Sequence, residues 1–486
     1  MTRTRRVSIL AAIYGVPALL LVVVARGVVP PIIRDAYLGR SLPALNAVFR
    51  RRIPHPVEHY LDLWRFAWQA LLLAWACHLV VVLTVLAADK WLGVGRSPEA
   101  RRRSTTLDRR LIAFALAFLA LTVLSGPRQD YVAYLEEWGA VLAGTDPWWI
   151  HERFGFPLNA YGPLFNLLAL PVRLNPMAPK LLFALAYCLF VVLFLKREMA
   201  RPGPPGFPTS ALFAWLLGPF FWVEIAYFGH FDILVAIACV AALAFLVRGR
   251  EWLSGASLAA GFLLKLIPVV IVPFFAIDAG GRRVRLRVLA GAVIPIVAGY
   301  AASYAIWGPS TFRPFEFAYR RGSNLLSIFW YLRGGASPLR WFTDRPDLDA
   351  WSTPCLAVAG LLVFLACQWR RADPATSALV AVLTTLLFYQ VGFVQYQMIL
   401  FLLMAPWLVR HGPALAQRRG LAASVVGYFG WLTLFDLLYC YAGGILPDRG
   451  PGPWAWLGDR AALPTFLLGI ALLINLLRLR EGSIPG

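Results

Sequence analysis

Apolar runs of about twenty residues, the length an α-helix needs to cross a bilayer, recur along this 486-residue chain. They constrain its fold more than any other feature. Hydrophobic residues make up 59% of the chain and charged residues only 15%. The runs follow one another closely, which argues for a single integral domain over residues 1–486. A transmembrane β-barrel would instead show alternating segments of about ten residues. The expected fold is all-α, a polytopic helical integral membrane protein.

Twelve spans are expected, at roughly 7–28, 64–88, 111–126, 179–195, 209–227, 232–248, 285–306, 353–368, 376–394, 395–410, 420–441 and 462–478. Arginine clusters border these runs, among them 96–110, 196–201, 280–287 and 410–419. The net charge of +21 could suggest a nucleic-acid partner. Placement of the arginines beside apolar runs points instead to the positive-inside rule. The rule puts the N-terminus in the cytoplasm and the protein in the cell membrane as a multi-pass chain. Residues 7–28 look like a signal peptide, but the run is long and lacks a small-x-small cleavage site. It reads as a retained first span. The six cysteines form no CxxC pair, so neither a zinc site nor a disulfide framework is expected. No internal repeat of the kind found in many transporters is visible.

Lys265 interrupts the run 252–275, with Pro268 just after it. The other three lysines, Lys90, Lys180 and Lys196, stand at or near run ends. A cation at bilayer depth costs about 2.5–3.5 kcal/mol, so it should face a cavity or an anionic partner. Pro268 breaks the helix and frees a carbonyl, which membrane proteins tolerate only inside protein or beside water. Both flanks of 252–277 are basic and want the cytoplasm, so the segment reads as a broken, re-entrant helix pair, the alternative being a simple span with one basic flank outside. A negatively charged headgroup such as a lipid phosphate suits this lysine. A side chain snorkelling to the interface is the plainer alternative.

Other polar residues gather in the segments expected on the outer side. Asp130 lies just past the end of a span and is followed by Tyr131, Tyr134 and Trp138. It reads as a general base needing one substrate hydroxyl within reach, or as a helix N-cap. The aromatics read as an interfacial belt or as a platform for a sugar. Glu136 and Glu137 are adjacent and point different ways on a helix, so at least one should be solvated. Tyr161-Gly162-Pro163 opens an apolar run too short to span, fitting a helix in the interface. Glu224 is an intramembrane carboxylate, functional by default or structurally paired. His230 and Asp232 occupy a short outer turn. A hydrogen bond from His230 to phosphate or sugar suits it better than lone metal ligation. Arg320, Arg321 and Asn324 stand together where arginine should be scarce, and arginine forks suit phosphate. Gln390, Gln395, Tyr396 and Gln397 cluster at a hairpin between two spans.

These segments, in this order, resemble the GT-C superfamily of membrane glycosyltransferases. The likeness is to the GPI mannosyltransferase I type (PIG-M-like) and the bacterial polyprenol-phosphate mannosyltransferases. It rests on DYVAYLEEWGAVLAGTDPW, on YGPLFNLLALPVRLNP with Lys180, on GREWLSGASLAAGFLLKLIPVVIVPFF, on FAYRRGSNLLSIFWYL and on FVQYQMILFLLMAPWL. The resemblance spans about 127–410, leaving 1–110 as extra N-terminal spans and 411–486 as C-terminal spans. It implies transfer of a hexose, most simply mannose, from a polyprenyl-phosphate donor to an extracytoplasmic acceptor, with inversion. The acceptor would be a glycolipid, a lipoglycan or a protein among the membrane lipids. Asp130 would be the base. Lys265, Arg320, Arg321 and His230 would hold the donor phosphate. Tyr131, Glu224, Asp232, Tyr161, Asn324, Gln395 and Tyr396 would contact sugar or acceptor. PIG-M-like enzymes carry an acidic-x-acidic motif where this chain has Arg128-Gln129-Asp130. Arginine in the first acid's place makes a divalent metal there doubtful, though one stays possible, and no other cofactor is implied. Two rival readings share these residues: a transporter or flippase of a lipid-linked sugar, and a degenerate GT-C scaffold without activity.

Overall fold

The computed structural model describes residues 3–50, 55–93, 98–128, 130–149, 161–201, 208–278, 281–334, 348–441 and 453–479. Stretches 150–160, 335–347 and 442–452 of the expected outer loops lie outside the described residues. Among the described residues, nine helices are long and apolar enough to cross a membrane. Each of the twelve expected spans meets a helix, although 376–394 runs past its helix end at Phe388 into the Val391–Gly392 strand. The three not among those nine lie on Pro98–Ser125, Asp232–Leu246 and Pro374–Phe388. Strand pairing among the described residues is limited to Asn324–Leu325 beside Val391–Gly392, in parallel, and an antiparallel bridge between Tyr161 and Lys265. The chain is an all-α polytopic membrane protein.

Two compact units can be distinguished. One comprises residues 1–128 and 170–196, the other 129–169 and 197–486. In the first, Lys180 and Lys196 are fully buried, where a run-end lysine would be expected to reach water. Both are supplied with oxygens. Lys196 Nζ meets Asp89 Oδ1 at 2.7 Å and Ser104 Oγ at 3.1 Å, and also pairs with Asp108. Lys180 Nζ donates to Ser125 Oγ at 2.8 Å and to the Gly126 carbonyl at 2.7 Å. Buried ammonium groups persist only with such partners.

In the second unit, the Glu251–Leu264 and Arg282–Trp307 helices pack backbone to backbone. A Cβ on Gly255 would lie 2.2 Å from the Val288 carbonyl oxygen, and one on Gly291 would lie 2.4 Å from that of Trp252. Small residues permit this approach, the common device of helix association in lipid.

The Glu251–Leu264 helix stops where the sequence says it must. Pro268 has no N–H to offer the carbonyl four residues back, that of Leu264. Gly162 N–H takes its place, donating to Leu264 O at 3.1 Å. Lys265 is extended (φ −157°, ψ 136°) and bridges Tyr161. A short 3₁₀ turn, Ile267–Ile271, and the helix Val272–Asp278 follow. The break thus delivers the lysine side chain and the Tyr161 segment to one place.

Candidate active site

The Asp130–Leu142 helix carries Asp130, Ala133, Tyr134 and Glu137 at i, i+3, i+4 and i+7, which is one helical face. That face forms one wall of a cavity of about 420 Å³. Tyr161, Lys265, Arg321, Tyr389, Gln390, Gln395 and Tyr396 also line it. The volume falls in the range typical of small-molecule sites, ~300–1,000 Å³.

Aromatic rings hold the Asp130 helix in register. Tyr134 packs edge-on to Phe165 at 5.3 Å, to Tyr161 at 5.5 Å and to Phe231 at 5.5 Å between centroids. Trp138 Nε1 donates to the Phe165 carbonyl at 3.1 Å. Tyr131, Tyr134 and Trp138 are all at most 1% exposed, so these rings form a packed core and not a belt facing lipid headgroups.

Two loops supply the far side of the cavity. Asn324 Oδ1 accepts from Gly392 N–H at 2.9 Å, and Gln390 Nε2 donates to the carbonyls of Ala318 and Tyr319 at 3.1 and 3.2 Å. These bonds tie the segment bearing Arg321 to the one bearing Gln395 and Tyr396. Arg321 Cζ stacks over Phe393 at 4.4 Å and Phe317 at 5.1 Å. Stacking of this kind orients a guanidinium while leaving its N–H groups free for an anion.

Charge in the site is organised in pairs. Lys265 Nζ lies 2.5 Å from Asp232 Oδ1 and 3.8 Å from the centroid of the Tyr396 ring. Asp130 Oδ2 accepts from Gln395 Nε2 at 3.1 Å. It also lies 3.5 Å from His230 Nε2, an ion-pair rather than a hydrogen-bond distance. His230 Nδ1 in turn lies 2.7 Å from Glu224 Oε2. His230 sits in the turn between two helices. Burial alone would lower its pKa, but the Glu224 and Asp130 carboxylates outweigh burial and raise it to about 10. Burial, and then the carboxylates of Asp130 and Glu137, hold the Tyr161 hydroxyl well above its ordinary value.

The structure therefore sorts the residues singled out in the sequence. Asp130, Tyr161, Lys265, Arg321, Gln395 and Tyr396 share the cavity wall. Glu224, His230 and Asp232 stand behind it, in contact with Asp130 or Lys265 or with each other. Arg320, expected at the phosphate, lies outside, with its side chain 64% exposed and paired with Glu316 at 3.1 Å. Asn324 spends its side-chain oxygen on the loop pairing. Tyr131 is fully buried in the aromatic core. Glu137 escaped the sequence reading as a site residue, although its i+7 spacing from Asp130 marks it. Among the described residues, no group of three or more His, Cys, Asp or Glu is arranged to hold a metal ion.

A family model, glycosyltransferase family 87, matches residues 159–389 of the chain. The match covers somewhat less than half of the sequence and includes Tyr161, Glu224, His230, Asp232, Lys265 and Arg321. Asp130, Gln395 and Tyr396 lie outside it. No curated protein and no solved structure matches the chain. The similarity supports a glycosyltransferase, and the apolar helices make it a membrane-bound one.

Proposed function

We propose that this membrane glycosyltransferase moves a hexose, most simply mannose, from a polyprenyl-phosphate donor to an acceptor hydroxyl on the extracytoplasmic side. One observation carries the reading. A half-exposed carboxylate, Asp130, shares a single cavity with two cations, Lys265 and Arg321. The carboxylate suits removal of a proton, and the cations suit a phosphate.

The donor's lipid chain has somewhere to go. An apolar cavity of about 310 Å³ is lined by Pro273, Phe274, Gly360, Val363, Phe364 and Ala381, with Val270, Leu356 and Thr385. The last three residues line the polar cavity as well. A headgroup in the one and an isoprenoid tail in the other would occupy continuous space.

In the proposed step the acceptor oxygen attacks the anomeric carbon from the face opposite the phosphate. Its bond to carbon forms as the bond from the anomeric carbon to the phosphate oxygen breaks. Configuration inverts, Asp130 takes the hydroxyl proton, and polyprenyl phosphate leaves as an anion held by Lys265 and Arg321. Gln395 orients the Asp130 carboxylate through its 3.1 Å hydrogen bond. His230, fixed by Glu224, steadies the negative charge on Asp130. The acceptor is a glycolipid, a lipoglycan or a protein.

Transfer in liposomes tests the reading. Polyprenyl-phosphate mannose, glucose and arabinose, each radiolabelled, are offered with membrane lipid extract. Label moving into a new product with one donor supports the reading. Label crossing the bilayer without any product would replace it with the flippase reading.

A further inference from the structure

The Arg282–Trp307 helix carries its last charge at Arg287. The uncharged stretch 288–307 is roughly 30 Å long at 1.5 Å per residue, the thickness of a hydrocarbon core. Val293, Val297 and Tyr304 stay exposed along one of its faces, which therefore meets lipid. Trp307 ends the span at a membrane boundary. Gly308, at φ +62°, turns the chain there, and the 3₁₀ turn Gly308–Phe312 leads into the helix Arg313–Arg320.

That short helix is divided into three sectors. Pro314 and Phe317 are buried against the protein. Arg313, Glu316 and Arg320, spaced by three and four, share a second side. Phe312, Phe315 and Tyr319 share a third, and are 49%, 39% and 75% exposed. The Phe312 ring stacks on Tyr300 at 6.0 Å and lies 6.1 Å from Tyr304, which joins this aromatic side to the lipid-facing flank of the span.

We infer that the Arg313–Arg320 helix lies in the membrane interface, with its aromatic side at the boundary of acyl chains and headgroups and its charged side in water, and that it fixes the mouth of the polar cavity at headgroup depth. A helix so divided binds an interface through its apolar side. A protein partner suits it less. Three partly exposed rings offer roughly 300 Å², against the ~800 Å² per side of a stable protein interface. The cavity mouth follows the helix because Ala318, Tyr319 and Arg321 line the cavity. The Ala318 carbonyl accepts from the Tyr389 hydroxyl at 3.2 Å, and Gln390 Nε2 donates to the carbonyls of Ala318 and Tyr319. A lipid-borne phosphate would reach Arg321 without leaving the depth at which it travels. The placement holds whichever group the enzyme transfers.

Nitroxide labels read the depth. A variant with all six native cysteines replaced is placed in liposomes and carries one label at a time, through Phe315→Cys, Tyr319→Cys, Glu316→Cys or Arg320→Cys. Collisions with oxygen, which concentrates in lipid, are compared with collisions with a water-soluble nickel chelate. The oxygen-to-nickel ratio is expected to be at least about fivefold higher at positions 315 and 319 than at 316 and 320. Equal ratios at all four positions would overturn the inference. So would labels at 315 and 319 screened from both reagents, the mark of a protein partner. A second arm uses the unmodified protein, so that it stands even where the cysteine replacements unfold the chain. A lipid-soluble photoactivated carbene reagent should modify Phe312, Phe315 or Tyr319, and a water-soluble one should modify Glu316. Absence of lipid-phase labelling at all three rings would overturn the placement.

Discussion

Lys265 Nζ lies 2.5 Å from Asp232 Oδ1, and the two side chains are 6% and 0% exposed. The cation that stands alone in the sequence is thus half of a buried ion pair with a residue 33 positions away. Its charge is balanced at rest, and Tyr396 shields one side of it. Removing one partner of a buried pair costs about 3–5 kcal/mol, because the other charge is left uncompensated. Asp232→Asn should therefore lower the melting temperature of the detergent-solubilised protein. Lys265→Met should do so less, since a protonated Asp232 is neutral, and should abolish measurable transfer. Equal melting temperatures for Asp232→Asn and the unmodified protein would contradict the pairing.

Neighbouring arginines should behave oppositely. Arg321 lines the cavity, whereas Arg320 is mostly exposed beside Glu316. Arg321→Ala is expected to raise the donor KM by about tenfold to a hundredfold, the worth of a charged hydrogen bond to phosphate. Arg320→Ala should change it less than about twofold, as exposed i,i+4 pairs contribute little. Steady-state kinetics on both variants decide the point, and a larger effect at Arg320 would overturn the assignment.

His230 provides a pH signature. Its folded pKa of about 10 stands above the unfolded value of about 6.5. Stability from its charge is therefore fully present below pH ~6.5 and is lost as pH rises through about 10. Melting temperature should fall between about pH 6.5 and 10, and His230→Gln should flatten that fall. An unchanged alkaline slope in the variant would show that His230 is not the group responsible.

Gly162 tests the backbone joint beneath the site. A Cβ there would lie 2.3 Å from the Leu263 carbonyl oxygen, so the Tyr161–Gly162 segment must retreat from the Leu263–Lys265 backbone to admit it. Overpacking of this kind typically costs about 1–3 kcal/mol. Gly162→Ala should lower both the melting temperature and kcat, while Gly139→Ala, with open space around it, should lower neither. Full transfer activity in Gly162→Ala would mean that the joint does not position Lys265.

Much of the fold was legible because its signals are local. Runs of apolar residues locate a helix at each of the twelve expected spans, and Pro268 marks the break beside Lys265. Partnerships were not legible, because they join distant segments. Nothing near Lys265 in sequence announces Asp232, and nothing near Asp130 announces Gln395. Lys180 and Lys196 sit at run ends where water would be the natural partner, yet oxygens from other helices surround them. Arg320 and Arg321 are alike in composition and pattern. Only the end of the Arg313–Arg320 helix separates them, putting Arg321 on extended backbone (φ −66°, ψ 129°). Glu137 was readable by helical spacing, but its neighbour Glu136 masked the signal.

Asp130 is the proposed base of the sugar transfer. Its side chain is 47% exposed, so replacing it should leave the fold intact. The decisive measurement is transfer from radiolabelled polyprenyl-phosphate sugar in liposomes containing either the unmodified protein or Asp130→Asn. Product is expected from the unmodified protein, with a loss of about a hundred- to ten-thousand-fold in the variant at equal melting temperature. Full transfer by Asp130→Asn would contradict it.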